Sequence, residues 1–209
     1  MLSREWTRWV LAAAAIVLPA TLLHAALPSG VDVADRTWLT GQLLIASPKL
    51  RQPIFDHGVI LLARHDRDGA MGVVINRPIS KKPIARLLAA LGQDARGVRD
   101  HVRIFAGGPV EPTTVLVVHT LDYRRLDTLD IDGRVGITAG GDVLRDIGLG
   151  KGPRKSLVVL GYAGWAASQL EDEIAHGVWT TIPEDPALVF DADRATLWVD
   201  ALARQKPAR

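Results

Sequence analysis

Beyond residue 40 the chain alternates short apolar runs with polar breaks that carry glycine or proline. Leu43, Leu44 and Ile45 predict a first strand, and Val59 to Leu62 a second whose unbroken apolar run implies cover on both faces. His65-Asp66-Arg67-Asp68-Gly69 comes next, where the Asp-Gly step supplies the positive φ of a tight hairpin. Met71 to Ile75 then return as an antiparallel partner that Pro78 ends. From Pro83 the period changes, with Ile84, Leu87, Leu88 and Leu91 at helical spacing up to Gly92. Val102 to Phe105 and Val115 to Val118 predict further strands, separated by the permissive Ala106-Gly107-Gly108-Pro109. Asp142 is placed to cap a helix carrying Val143, Leu144 and Ile147 and ending at Gly148. Leu157 to Leu160 read as a buried strand, and Gly161-Tyr162-Ala163-Gly164-Trp165 as a strand-to-helix turn. The helix after it turns Leu170 and Ile174 inward and Glu171, Asp172 and Glu173 to water, and stops at His176-Gly177. Val178 to Ile182 and Leu188 to Phe190 predict late strands, and a last helix from about Asp193 buries Leu197, Trp198, Ala201 and Leu202. Short strands and helices alternating irregularly, with no internal repeat, predict an α+β domain rather than repeating βαβ units.

A chain of 209 residues, 48% hydrophobic and 23% charged, suits one compact domain with one sizeable core. Lys and Arg total 25 against 23 for Asp and Glu, so the net charge of +2 supplies no strong field for nucleic acid or acidic lipid. The basic groups Lys81-Lys82, Arg96-Arg99-Arg103, Lys151-Arg154-Lys155 and Arg204-Lys206-Arg209 are interrupted by acids and lack interleaved aromatics. They read as solvated faces, which disfavours nucleic acid as a partner. Cysteine is absent, excluding disulfides, thiol nucleophiles and thiolate metal sites. His57, His65, His101, His119 and His176 show no short ligand spacing and no His-Glu-x-x-His pattern, so neither metal nor cofactor is expected.

The N-terminus has the layout of an export signal: Arg4 and Arg8, an apolar run from Val10 to Leu23, then Ala25 and Ala26. Cleavage is the favoured reading of residues 1–26, with an uncleaved membrane anchor and a start further downstream as alternatives. These place the chain outside the cytoplasmic membrane, on it, or inside. Residues 27–38 read as a linker, 39–204 as the domain, and 205–209 as a basic tail.

Four segments, taken in order, resemble the AlgH/YqgE family. They are Gly41-Gln42-Leu43-Leu44-Ile45-Ala46, Asp68 through Asn76-Arg77-Pro78, Phe105-Ala106-Gly107-Gly108-Pro109-Val110, and Gly161-Tyr162-Ala163-Gly164-Trp165 through Gln169-Leu170-Glu171. The resemblance runs from about Thr40 to about Leu202 and includes Val178-Trp179 and Phe190-Asp191. It implies a central mixed, mainly antiparallel β core flanked by short helices. It implies little about activity: some members carry a transcriptional-regulator label without a DNA-binding motif or an assigned catalytic residue. An export leader fits that label poorly.

The richest chemical cluster is His65, Asp66, Asp68, Asn76 and Arg77, where an imidazole beside carboxylates could do acid-base work. The competing account makes Asp66 and Asp68 turn formers, and Asn76 and Arg77 lie at the far end of the hairpin from His65. Gly107-Gly108 offers backbone N–H groups but no Gly-Lys-Ser/Thr follows, and the Gly161–Trp165 segment has no Ser at its apex. Tyr162 and Trp165 beside Gln169 could line a cleft, with core packing as the alternative. The expected activity is therefore a non-catalytic binding or regulatory domain acting through a cleft on an unknown protein or small molecule. Its candidate surface is Asn76, Arg77, Gly107, Gly108, Tyr162, Trp165 and Gln169. A hydrolase or isomerase using His65 or His119 with Asp66, and a nucleic-acid-binding regulator, are the alternatives.

Overall fold

The computed structural model describes residues 38–205, so the leader and most of the linker lie outside the described residues. Ten strands form one curled sheet, a half-barrel carrying several short helices. The strands are β1 Gln42–Ala46, β2 Val59–Asp66, β3 Gly69–Val74, β4 Pro78–Pro83, β5 His101–Ala106, β6 Val110–Thr120, β7 Leu129–Ile131, β8 Val135–Ala139, β9 Ser156–Ala166 and β10 Trp179–Pro183. The helices are α1 Ile84–Ala90, α2 Gly141–Gly148, α3 Gln169–Ala175 and α4 Leu197–Ala203. The main path runs β10-β1-β2-β3-β9-β6-β8-β7, and β4 pairs with β5, which pairs with β9. All pairings are antiparallel except β5 with β9, so the expected α+β class and mainly antiparallel core describe the molecule.

Alternation divides the core. Leu43, Ile45, Leu61, Leu116, Val118, Leu157 and Val159 point into the half-barrel, where Leu197 and Ala201 of α4 cap them. Leu44, Ile60, Leu62 and Val74 face outward beneath Leu170 of α3 and Trp179, while Val115, Val117 and Val158 lie under Ile84 and Leu88 of α1 and Val143 and Leu144 of α2. Strands covered on both faces read as unbroken apolar runs, which is why β1 and β2 stood out in the sequence.

The long strand β9 organises the sheet. Its first half has β5 on one side and β6 on the other; further along, β3 replaces β5. The chain leaving β5 therefore crosses over β9 within Gly107-Gly108-Pro109 to begin β6. Gly107 N–H donates to the Leu160 carbonyl at 2.8 Å and Gly107 O accepts from Val74 at 2.8 Å. A Cβ on Gly107 would overlap the Gly161 carbonyl, and one on Gly108 the Tyr162 backbone. Gly161 sits at φ +70 and works as a bulge: Leu157 and Val159 point inward before it, but Tyr162 is the inward residue after it. That parity change sends Ala163 and Trp165 to the outer face.

Several sequence expectations are corrected. Gly161–Trp165 continues β9 rather than forming a turn. Pro78, expected to end a strand, opens β4, an edge strand whose prolines and lysines hide the strand pattern. Leu188–Phe190 is not a strand but part of a π-helical turn, Ala187–Asp191; Pro186 fixes a helical φ and Ala192 N–H reaches back to the Ala187 carbonyl at 3.0 Å. Asp142 is not a cap: Gly140 holds that position, and the Asp142 carboxylate meets Arg125 at 2.7 Å instead. The last helix begins at Leu197, after a turn from Asp193.

The half-barrel closes through charge rather than strand pairing. β10 and β7 are the sheet ends, and β7 rests against β2. Across this seam Arg134 Nε lies 2.9 Å from Oε1 of Glu184, whose side chain is fully buried, while Arg134 Nη2 meets Asp132 at 2.9 Å. The Arg134–Glu184 contact is off the line a hydrogen bond needs, leaving both Glu184 oxygens without one. Burial pushes the Glu184 carboxyl up to about 7; Arg134 opposes this, and Asp132 and Asp185 reinforce it.

Candidate functional site: a cationic cleft at the mouth of the half-barrel

The polar side chains picked out in the sequence mostly serve the fold. Asn76 Oδ1 accepts the Val59 N–H at 2.9 Å and its amide donates to the His57 carbonyl at 2.8 Å, and Arg77 donates to the Asp56 carbonyl. Both clasp the loop before β2. Gly107 and Gly108 form the crossover beside Tyr162, which is buried; burial and nearby Glu111 raise its phenol above the ordinary range. Trp165 and Gln169 belong to another network, in which Glu173 Oε2 accepts from Trp165 at 2.9 Å and from Trp179 at 2.7 Å, and Oε1 from Gln169 at 2.9 Å. Asn76, Arg77, Gly107 and Gly108 thus meet near one crossing, while Trp165 and Gln169 lie at the far end of β9.

The two histidines considered for acid-base work, His65 and His119, are buried. His119 is fully buried: its Nδ1–H donates to the Thr120 carbonyl at 3.0 Å and Nε2 accepts from Thr138 at 2.8 Å. Burial holds its pKa below the ordinary 6.5. His65 Nδ1 accepts the Leu39 N–H at 3.1 Å, so its proton sits on Nε2, 3.5 Å from Glu171. The Asp66 carboxylate is turned to Arg64 and to the Asp68 N–H, joining neither imidazole in a relay. Among the described residues no group of three or more His, Asp and Glu side chains is set to hold a metal ion, and no helix is long and apolar enough to cross a membrane.

A cationic cleft lies elsewhere, and the parallel β5–β9 pair creates it. Parallel pairing puts the starts of two strands side by side, Ile104 opposite Val158, so Arg103 stands near Lys155 although 52 positions separate them. Arg103 shares a face with Phe105, and Lys155 with Leu157, both inward residues of the core. Phe190 and Arg194, from the π-helical turn and the segment after it, form the opposite wall, enclosing about 530 Å³. None of the seven candidate surface residues lines it.

Four permanent cations, Arg103, Arg154, Lys155 and Arg194, line this cleft against one carboxylate, Asp193. Arg154 and Lys155 have partners just outside it, Asp122 at 3.3 Å and Asp191 at 2.6 Å. Arg103 and Arg194 make no ion pair among the described residues. Arg194 is half-buried over the Phe105 ring, 6.0 Å from its centroid, with one N–H reaching the Leu188 carbonyl at 3.4 Å. Burial lowers its pKa and the Arg103 charge adds to that, with Asp191 and Asp193 opposing. Two guanidiniums so placed gain from an anion between them. Sequence reading saw Arg103 and Arg154-Lys155 as separate solvated groups and passed over Arg194, because only the fold brings the three segments together.

A curled antiparallel sheet with short helices and a cationic mouth defines a single-domain α+β protein. The chain belongs to the AlgH-like family, whose model matches residues 43–208. A UPF0301 protein of Afipia carboxidovorans is 41% identical over 186 residues, covering 85% of this chain and 89% of the relative. One of Rhodospirillum rubrum is 41% identical over 167 residues, covering 80% and 87%. The solution structure of the AlgH protein from Pseudomonas aeruginosa is similar at a TM-score of 0.66 and 34% identity, covering 86% of this chain and 100% of that one. A Corynebacterium diphtheriae protein, DIP2367, shares the fold at a TM-score of 0.64 and 21% identity.

Proposed function

We propose that the chain is a non-catalytic binding domain that acts through the cleft at the mouth of the half-barrel, and that its ligand is anionic. The observation that supports this is the Arg103–Arg194 pair, two guanidiniums lining one cleft, neither in an ion pair among the described residues, with Asp193 as the single carboxylate of the lining. A folded chain tolerates such repulsion at a site where a counter-charge arrives from outside. The enclosed volume, about 530 Å³, falls in the roughly 300–1,000 Å³ range of small-molecule sites.

Titration with inorganic pyrophosphate, followed by backbone amide shifts, tests the reading. Saturable shifts centred on Ser156, Phe190 and Arg194, and their loss in the Arg103→Ala/Arg194→Ala double variant, are expected. Shifts that persist in the double variant, or a flat titration at low salt, overturn it. The leader read in residues 1–26 extends the proposal to an exported domain. The mass of the mature N-terminus checks that extension, and an intact Met1 on a soluble cytoplasmic chain refutes it.

A further inference from the structure

The cleft has a second lobe. Beyond Lys155 and Phe190 it continues into a smaller hollow of about 290 Å³, lined by Thr120, Arg154, Lys155, Pro186 and Phe190. Arg154, Lys155 and Phe190 line both lobes and so form the waist between them. The two lobes differ in chemistry. The larger holds Arg103 and Arg194, the guanidiniums that form no ion pair among the described residues. The smaller has the Phe190 ring and the Pro186 ring for walls, Arg154 and Lys155 at the waist, and a Thr120 hydroxyl already held by Asp122 and by the Lys155 N–H at 3.3 Å. Phe190 is half-buried, so part of its ring remains open to contact.

A ligand matching both lobes carries a compact, doubly charged anion at one end and a planar, largely apolar group with polar edges at the other. Guanidinium pairs fit phosphate oxygens, and an aromatic wall accepts a flat ring by stacking. A phosphorylated nucleoside carries both parts; inorganic anions supply only the first. We infer that the cleft takes a mononucleotide, its phosphate between Arg103 and Arg194 and its base in the Phe190–Pro186 lobe. This rests on the anion-binding reading above.

Calorimetric titration of the full chain with AMP, adenosine and pyrophosphate tests it. AMP binds at least about tenfold more tightly than pyrophosphate, the gain expected of one stacked base, and adenosine binds more weakly than either. Arg103→Ala/Arg194→Ala abolishes binding of both phosphates, whereas Phe190→Leu narrows the preference for AMP. An unchanged far-ultraviolet spectrum and melting profile show that each variant is folded; if Phe190→Leu unfolds, Pro186→Ala tests the same lobe. Equal affinity for AMP and pyrophosphate overturns the nucleotide assignment and leaves the anion site standing. Absence of binding by both removes both readings. Binding of single-stranded oligonucleotides but not AMP replaces the small-molecule ligand with nucleic acid.

Discussion

The charged seam makes a quantitative prediction. Glu184 has no exposed side-chain surface and its carboxyl is pushed from the ordinary 4.5 to about 7. A carboxyl whose folded pKa lies above its unfolded one favours the folded state while protonated. Its contribution is therefore intact below pH 4.5 and declines until the pH passes 7. At about 1.36 kcal/mol per pH unit, the interval from 4.5 to about 7 amounts to roughly 3 kcal/mol. Glu184→Gln keeps the shape and removes the ionisation, leaving Arg134 its contact with Asp132 at 2.9 Å. Urea midpoints of wild type and Glu184→Gln at pH 5, 6.5 and 8 measure the effect. The stability difference should move in favour of the variant by roughly 2–3 kcal/mol from the lowest to the highest pH. Parallel pH profiles would refute the argument, because they would mean that water or Arg134 fully solvates the carboxylate across the seam. A slope of opposite sign would mean that the Arg134 contact outweighs burial.

His119 acts on the other limb. Its pKa is lowered by burial, so the unfolded chain takes the proton first and stability falls as pH drops below 6.5; in the Glu184→Gln background a decline from pH 7 to 5 should remain, and His119→Asn should flatten it. Glu173→Ala leaves the Nε1 groups of Trp165 and buried Trp179 without an acceptor, a loss of roughly 2–5 kcal/mol for the pair. A urea midpoint shift worth less than about 1 kcal/mol would show that water replaces the carboxylate. Gly161→Ala puts a Cβ 2.6 Å from the Gly108 carbonyl and 2.8 Å from that of Val110 at φ +70. It should lower stability by about 3 kcal/mol or more, near 10 °C in Tm. An unchanged melting temperature would show that the crossover relaxes.

The sequence revealed elements whose pattern is enforced by cover. β1, β2 and α1 to α4 bury contiguous or periodic apolar residues, and these were legible because each signal lies within a few positions. The elements that escaped are formed by partners far away. β4 is Pro-Ile-Ser-Lys-Lys-Pro, exposed at most positions and held by its ladder to β5. β7 has three residues, and β8 begins Val-Gly before a glycine pair. Leu188, Val189 and Phe190 satisfy strand and helix patterns equally; Pro186 ahead of them decides for helical geometry, a signal that outweighs their β propensity. For the candidate site the division is sharper. Asn76 and Arg77 stood out as polar residues at a strand end, and their hydrogen bonds lead to the loop before β2. The cleft needed Arg103, Lys155 and Arg194 together, and no local pattern encodes a parallel pairing of β5 with β9.

The glycine-bearing blocks that carry the family resemblance have a physical explanation in the crossover. Asp68–Pro78, Phe105–Val110 and Gly161–Trp165 all meet where the chain passes over β9, and backbone-to-backbone approach leaves no room for Cβ at Gly107, Gly108 or Gly161. Those blocks specify how ten strands curl into a half-barrel. Arg103, Arg154, Lys155 and Arg194 lie outside them, on the strand starts and on the segment that covers the mouth. The crossover glycines and the charges at the mouth are thereby encoded at separate positions: an AlgH-like chain can keep the crossover while its mouth carries other charges. On the anion-binding proposal, a relative takes the same ligand if it keeps cations at the positions of Arg103 and Arg194, whatever its glycines.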